Sequence, residues 1–137
     1  MNEGNSGRRL GVAGAAGLML AAVTMSAEAD EALIARGKAA FEARCGGSCH
    51  GFEVTNWGPS LIGLFGRVAG SADFPYSRVF QEADFAWTPD ILDSYIEIPR
   101  LMLPGNNMAF YGLDDAEERR AIVAYLVAVN GYVELPD

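Results

Sequence analysis

Two cysteines and a histidine, Cys45, Cys49 and His50, lie close together in the segment CGGSCH. The chain contains no other cysteine or histidine. A thiol followed directly by an imidazole is the pair that covalent haem attachment requires, since the thiol bonds a vinyl group and the imidazole binds the iron. The usual attachment motif places two residues between the cysteines, whereas this segment has three. The spacing therefore leaves the chemistry of the segment open.

The extra residue does not by itself exclude haem attachment. Side chains four positions apart share one face of a helical turn, so Cys45 can still face the same side as Cys49. Gly46 and Gly47 can adopt positive φ and absorb the added residue as a bulge. A Cys45–Cys49 disulfide is a second interpretation, common for cysteines in exported proteins. A metal site is a third, but it needs a fourth ligand that no further cysteine or histidine supplies.

The first 29 residues have the pattern of a secretory signal peptide. Arg8 and Arg9 precede an uncharged, mostly apolar stretch over residues 10–27, which closes on the small-x-small sequence Ala27-Glu28-Ala29. We predict cleavage after Ala29 and a mature domain over residues 30–137. An uncleaved membrane anchor is the alternative, because 18 uncharged residues are at the lower limit for spanning a bilayer.

The charge balance restricts the classes of partner. The chain carries a formal net charge of −8, and the predicted signal peptide removes two arginines and two glutamates, so the mature charge is unchanged. Nucleic acid is therefore not expected as a partner, because few cations are present to neutralise its phosphates. An acidic domain is instead steered toward basic protein surfaces.

Three segments of the mature chain have helical patterns, over residues 30–45, 88–99 and 114–131. We predict that Asp30 caps the first and that Thr88 caps the second, where a proline follows at the first helical position. The third begins with acidic residues, and its end is expected at Asn130-Gly131. Ile122, Tyr125, Leu126 and Val129 line one face of it.

Two further features concern packing. Gly37 lies in the middle of the first predicted helix, where it costs about 1 kcal/mol relative to alanine, and close packing against another element would explain it. Residues 51–86 and 101–112 are rich in turn residues and large apolar ones but show little periodicity. So much apolar loop beside only three helices indicates a chain that encloses a large apolar cofactor.

Six sequence blocks in order carry a resemblance to a known family. They run from about residue 34 to residue 130 and read GKAAFEARC with CHG, GPSLIGLFGR, YS, the pair W and Y, PGNNMAF and EERRAIVAYL. Together they resemble the class I c-type cytochromes, small soluble electron carriers. The resemblance implies an all-α cytochrome c fold, with three main helices, a short one and long loops wrapped around one covalently bound haem c.

The resemblance also implies the residues that hold the haem. Cys45 and Cys49 would form the thioether bonds, and His50 and Met108 would be the axial ligands of the iron. Met108 matches the family's methionine in PGxxM, whereas Met102 lies between leucines and is interpreted as packing. Axial ligation by histidine and methionine fills both open positions of the iron, which favours electron transfer over ligand chemistry.

Seven more residues match the family's haem environment. In the family the matching proline carbonyl accepts the histidine ring N–H, three residues lie near one propionate, one lies near the other propionate, a tyrosine lies near the methionine sulfur and an aromatic lies at the haem edge. In this order they are Pro59; Arg67, Tyr76 and Trp87; Asn106; Tyr95; and Phe110.

The resemblance places the crossing of the first and last helices at Gly37 and Phe41, against Ile122 and Tyr125. Two departures stand out. Phe80 occupies a position where the family often has a polar residue, so an internal hydrogen-bond network is reduced, and the lysine-rich docking face is missing. The partner surface of mitochondrial cytochromes therefore does not transfer to this chain.

These observations predict a periplasmic, monomeric carrier of single electrons with transient redox partners, in a respiratory or photosynthetic chain, and no enzyme activity. We expect those partners to present basic docking surfaces. A haem-based gas sensor or haem enzyme with a labile sixth ligand is the alternative. An exported module held by a Cys45–Cys49 disulfide, without haem, is a more distant one.

Overall fold

A computed structural model of the chain describes Met1 and residues 15–131, with side chains from residue 26 onward. Most of the predicted signal peptide, residues 1–29, lies outside the residues whose side chains are described, so its cleavage after Ala29 stays a prediction. Among the described helices, none combines the length and the apolar character needed to cross a membrane. The chain divides into two units, Met1–Glu31 and Ala32–Asp137, and the second contains the elements that form the site.

Five helices make up the regular structure of the described residues. They are α1 (Ala15–Arg44), α2 (Arg78–Gln81), α3 (Pro89–Glu97), α4 (Pro99–Met102) and α5 (Ala116–Asn130). The one β-type pairing in the described part is an isolated bridge between Val68 and Ala86. The all-α prediction is confirmed, with two short helices instead of one. Four residues are too few to show a helical period, which is why α2 and α4 were not predicted.

The predicted start of the first helix at Asp30 is wrong, because α1 begins at Ala15 and Asp30 lies in its interior. The residues before Asp30 are rich in alanine and contain no proline. Alanine has the highest helix propensity, so nothing in that stretch stops the helix from extending toward the N-terminus.

The start of α3 follows the sequence prediction closely. Pro89 is its first residue, and the Thr88 hydroxyl accepts a hydrogen bond of 3.2 Å from the Ile91 N–H. Proline suits this position because the first N–H of a helix has no partner within it. The cap fixes where the chain turns back into the core, so that α3 presents Leu92, Tyr95 and Ile96 to the interior.

Both ends of α5 are set by side chains or backbone conformations that the sequence indicates. The Asp115 carboxylate accepts hydrogen bonds of 2.9 and 3.0 Å from the N–H groups of Glu117 and Glu118. Gly131 ends the helix in the left-handed conformation, with φ of 63°, as predicted. Of the predicted face, Ile122 and Leu126 are buried and Tyr125 packs against the core. Val129, which lies in the last turn, remains 38% exposed.

The crossing of α1 and α5 explains the glycine in the middle of α1. Gly37 is buried, and a Cβ built on it would overlap the carbonyl oxygen of Ala121 and lie 2.9 Å from the Cβ of Tyr125. The two backbones therefore touch at this point, which confirms the prediction of close packing. One turn later the rings of Phe41 and Tyr125 lie 5.6 Å apart. The crossing sets the position of the C-terminal end of α1, from which the CGGSCH segment continues.

A buried arginine that was not singled out in the sequence joins α3 to α5. The Arg119 side chain is only 8% exposed and lies 3.2 Å from Asp93 and 3.5 Å from Glu97, both on α3. Its guanidinium also donates to the carbonyl oxygens of Leu113 and Asp114, at 2.8 and 3.0 Å. A buried cation is tolerated because each of these acceptors compensates part of its lost hydration.

We expect Arg119→Met to lower the free energy of unfolding of the haem-loaded protein by about 2–3 kcal/mol, because it removes the donor to the buried Leu113 carbonyl and the ion pairs to α3. Denaturant unfolding followed by far-UV circular dichroism measures this. Arg120→Met is the matched control, since Arg120 is 68% exposed and lies 3.9 Å from Glu117. The Arg120→Met variant should lose no more than about 0.5 kcal/mol in its free energy of unfolding. Equal losses for the two variants would show that Arg119 does not join the helices energetically.

Candidate functional site

A cavity of about 240 Å³ lies inside the second unit. Its lining is mostly apolar and includes four of the side chains that could bind a metal or form covalent bonds: Cys45, Cys49, His50 and Met108. Cys45 follows the end of α1, Cys49 and His50 follow the next turn, and Met108 comes from the loop after α4. Segments far apart in the sequence thus contribute reactive atoms to one apolar space.

The CGGSCH turn brings both thiols to this cavity despite the extra residue. The His50 N–H donates to the Cys45 carbonyl at 2.9 Å, and the Cys49 N–H donates to the Gly46 carbonyl at 3.2 Å. Of the two glycines expected to absorb the added residue, only Gly47 adopts positive φ, at 65°. A single left-handed residue is therefore sufficient to close the widened turn.

The two cysteines differ in environment and both are free thiols, so the disulfide alternative is not realised in this structure. Cys45 is buried and Cys49 is exposed. The pKa of the Cys45 thiol is raised to about 11, mainly because the thiol is buried and to a smaller extent because Cys49 is close by. Cys45 is thus a neutral thiol at physiological pH, held inside an apolar wall.

The His50 ring is fixed by two neighbours. Its Nδ1 lies 2.9 Å from the carbonyl oxygen of Pro59, and because a carbonyl can only accept, Nδ1 carries the proton. Burial lowers the pKa of His50, against the opposing effect of the Pro59 hydrogen bond. The imidazole is therefore neutral at pH 7, and its Nε2 keeps a lone pair that can bind a metal.

Gly58 is the second neighbour, and the sequence analysis did not identify it. A Cβ built on Gly58 would overlap Cε1 of the His50 ring and lie 2.8 Å from its Nδ1. The ring therefore rests directly on the backbone at this position. The glycine directly before Pro59 in the block GPSLIGLFGR is the signal that could have revealed it.

The Met108 sulfur has a specific hydrogen-bond donor. The Tyr95 hydroxyl, on α3, donates to Sδ at a distance of 3.3 Å. Burial raises the pKa of Tyr95, so the phenol stays protonated and remains a donor throughout the physiological range. Met102, the other methionine beyond residue 30, packs against the hydrophobic core and does not line the cavity, as expected.

Arg67, Tyr76, Trp87 and Phe110 also line the cavity. The Arg67 guanidinium donates to the carbonyl oxygens of Ser60 and Ile62, both at 3.0 Å, which holds it in place. Burial raises the pKa of Tyr76, while the charge of Arg67 opposes the shift. A cation and a neutral phenol therefore both contribute to the mostly apolar wall of the cavity.

Comparison with known proteins identifies the family. The family model described as cytochrome c matches residues 34–130. This chain belongs to the cytochrome c family. A cytochrome c from Chlamydomonas reinhardtii is 42% identical over 104 residues, covering 73% of this chain and 92% of that protein. A cytochrome c2 from Agrobacterium tumefaciens is 37% identical over 101 residues, covering 69% of this chain and 89% of that protein.

A solved structure agrees with this assignment. Cytochrome cH from Methylobacterium extorquens is 30% identical, covers 69% of this chain and 97% of its own, and superposes with a TM-score of 0.63. Proteins of the cytochrome c family transfer electrons rather than act as enzymes, and they carry one covalently attached haem c. The fold, the cofactor and the class of activity expected from the sequence are therefore confirmed.

The chain's own residues fit this cofactor. The cavity walls supply two thiols for vinyl groups, a neutral imidazole and a thioether sulfur, the ligand types of a c-type haem. In addition, the Ser77 hydroxyl next to Tyr76 is buried and has no hydrogen-bond partner among the residues that the structure describes. A buried hydroxyl is rarely left unsatisfied. Ser77 is not itself part of the cavity lining, but its neighbour Tyr76 is, and a carboxylate of the cofactor beside Tyr76 would be a suitable acceptor. Ser77 belongs to the block YS and was not singled out in the sequence analysis.

Asn106 is placed differently from the sequence expectation. It was assigned to the second propionate, but it is not part of the cavity lining; Asn107 is. Its amide nitrogen donates to the carbonyls of Pro99 and Leu103, at 3.0 and 2.8 Å, and its oxygen accepts the Met108 N–H at 3.0 Å. The amide is fully used in shaping the loop, so Asn106 positions Met108.

The sequence analysis also missed much of the apolar lining. It lies on α3, on α5 and in the loops near Pro59 and Met108, and comprises Trp57, Leu61, Leu64, Leu92, Ile96, Ala109 and Leu126. Such residues were interpreted as core or not discussed, because an apolar side chain against a cofactor has the same sequence pattern as one against protein. Only the arrangement of the chain separates the two.

Proposed function

We propose that this chain is an exported, monohaem carrier of single electrons whose iron is held between His50 and Met108 and cycles between Fe(III) and Fe(II). The observation that carries the proposal is the single cavity that His50, Met108, Cys45 and Cys49 all line. Membership of the cytochrome c family supports the electron-transfer role. The residue roles below are part of the proposal.

Cys45 and Cys49 would hold the haem through two thioether bonds. When bound, the haem supplies an iron that accepts and releases one electron. The protein holds the His50 ligand rigidly, because the Pro59 carbonyl orients the ring and the backbone of Gly58 packs directly against it. Rigid ligands reduce the reorganisation that accompanies each electron transfer.

Met108 would supply the second protein ligand of the iron, through its sulfur. The Tyr95 hydroxyl donates to Met108 Sδ, and Asn106 holds the Met108 backbone. Ligation by histidine and methionine raises the reduction potential and leaves no open coordination position. This favours electron transfer over the gas-sensor or haem-enzyme alternative.

The polar end of the haem would lie near Arg67, Tyr76 and Trp87, with the Ser77 hydroxyl as an added donor. The Arg67 charge offsets the cost of burying a carboxylate. Phe110 would cover the haem edge, as the resemblance implies. The remaining apolar walls would exclude water from a bound haem, and a dry, apolar surrounding would raise the reduction potential of its iron.

Export and partners form the next part of the proposal. The signal-peptide pattern over residues 1–29 supports a periplasmic location after cleavage at Ala29, since c-type haem is attached on the far side of the membrane. Family membership supports transient redox partners, as in a respiratory chain. The net charge of −8 supports partners with basic docking surfaces, and we expect the carrier to be monomeric.

The proposal is tested on protein purified from the periplasm of a host that matures c-type cytochromes. We expect an intact mass equal to residues 30–137 plus one haem, a pyridine haemochrome spectrum of covalent haem and a one-electron titration. The reduced protein should not bind CO rapidly. Absence of covalent haem contradicts the proposal, and rapid CO binding favours the gas-sensor alternative.

A further inference from the structure

Residues 47–50 form hydrogen bonds to residues 56–59. We call the second segment, residues 56–59, the strap. Each member of the first segment contacts the residue nine positions later. The four contacts are Asn56 Nδ2 to the Gly47 carbonyl at 3.0 Å, Trp57 N–H to the Ser48 carbonyl at 3.1 Å, Gly58 N–H to the Cys49 carbonyl at 2.7 Å, and His50 Nδ1 to the Pro59 carbonyl at 2.9 Å. The segment that ends in Cys49-His50 is therefore held in register by the strap.

Cys45, in contrast, is held by α1. The N–H groups of Cys45 and Gly46 both donate to the Phe41 carbonyl, at 2.8 and 2.7 Å. The His50 N–H reaches back five residues to the Cys45 carbonyl, one residue further than in an α-helix. The added residue thus lies between a cysteine fixed by the helix and a cysteine fixed by the strap.

Gly47 lies between Cys45, whose backbone is bonded to α1, and Cys49, whose backbone is bonded to the strap. Its φ of 65° turns the chain, and no atom lies within 4 Å of a Cβ built on it. Glycine at such a position has many alternative conformations. The strap supplies backbone groups for the contacts to Ser48, Cys49 and the His50 ring. Its only side-chain contribution to the four contacts is the Asn56 amide, which binds the Gly47 carbonyl.

We infer that Asn56 is a positioning residue for the widened attachment turn: it holds the Gly47 carbonyl so that the Cys49 thiol faces the same cavity as the Cys45 thiol. The inference rests on the proposed attachment through both thiols. In that reaction each thiol adds its sulfur to one carbon and its hydrogen to the other carbon of a vinyl group, so no other reactant is consumed.

The test replaces Asn56 in the full chain and counts thioether bonds in the purified haem protein. We expect Asn56→Ala to raise the ratio of singly to doubly linked haem about fivefold, which corresponds to one ordinary hydrogen bond. Mass spectrometry of the haem peptide measures the ratio, and each remaining vinyl group moves the pyridine haemochrome band to longer wavelength. Thr55→Ala, at the exposed neighbouring position, should leave the ratio unchanged.

Deletion of Gly47 restores two residues between the cysteines and removes the left-handed residue whose carbonyl Asn56 binds. In that background Asn56→Ala should not change the ratio of singly to doubly linked haem. An equal effect of Asn56→Ala with and without Gly47 overturns the inference, because Asn56 would then serve the fold in general.

A second pair of variants keeps the inference testable if the deleted chain does not mature. Gly47 and Gly63 both have positive φ, 65° and 62°, and both have open space around a Cβ. Replacement of either by alanine therefore adds the same backbone strain. We expect Gly47→Ala alone to raise the ratio of singly to doubly linked haem. An equal rise in Gly63→Ala shows a general loss of stability and overturns the inference.

The two proposals fail in different ways. A single thioether in the unmutated protein contradicts the attachment through Cys45 and, with it, the role of Asn56. Two thioethers in the unmutated protein, with an unchanged ratio in Asn56→Ala, contradict the role of Asn56 alone.

Discussion

Replacing Gly37 with alanine should destabilise the haem-loaded protein by about 3 kcal/mol, the upper part of the range for overpacking. Alanine in a helix is intrinsically favoured over glycine by about 1 kcal/mol, so propensity alone predicts the opposite sign. The added Cβ would overlap the Ala121 carbonyl oxygen, a backbone atom that no rotamer change can move. The two helices must separate, and the apolar contacts between Phe41 and Tyr125 weaken with them.

Thermal unfolding of the haem-loaded protein measures this effect, and the midpoint should fall by roughly 10–20 °C. Ala39→Gly is the matched control on the exposed side of the same helix. It should cost only the propensity difference of about 1 kcal/mol. A Gly37→Ala variant that is more stable than the unmutated protein would show that α1 and α5 do not touch as described.

The second large effect concerns the proposed sixth ligand of the iron. Met108→Ala should lower the reduction potential by on the order of 0.2 V, a fraction of the roughly 0.8 V over which axial ligands tune haem iron. Loss of the sulfur removes a ligand that favours the reduced state, and it opens a coordination position. The reduced variant should then bind CO readily, which a spectroscopic titration detects.

Met102→Ala is the matched control, because Met102 packs against the core and is absent from the cavity lining. It should lower the free energy of unfolding by about 2 kcal/mol or more and leave CO binding unchanged. If Met108→Ala and the unmutated protein bind CO equally, Met108 is not an axial ligand.

Local features of the sequence predicted the parts of the fold that depend on neighbouring residues. Thr88 with Pro89 marked the start of α3, and Gly131 marked the end of α5, because caps act within one turn of the chain. The start of α1 was wrong for the same reason: without a proline or a strong cap, the helix does not stop at Asp30. Four-residue helices left no pattern to detect.

The site residues likewise fall into those that a local sequence pattern indicates and those whose roles depend on tertiary contacts. The adjacency of Cys49 and His50 left the chemistry of that segment open, and it was the order of six sequence blocks, PGNNMAF with Met108 among them, that indicated a c-type haem through resemblance to a family. The uses of Asn106 and Asn107 were not distinguishable, because both are short amides in one loop. Their roles differ only because the carbonyls of Pro99 and Leu103 lie beside Asn106.

The sequence by itself determined the chemistry of this protein, since ligand types, their order and the apolar loops between them are properties of the residues. The tertiary structure alone decided how those residues are held. In the structure, Gly47 is the left-handed residue of the widened turn, and the Gly58 backbone packs against the His50 ring. Arg119 is buried between α3 and α5. Each of these depends on atoms brought together from distant parts of the chain, and no local pattern records such contacts.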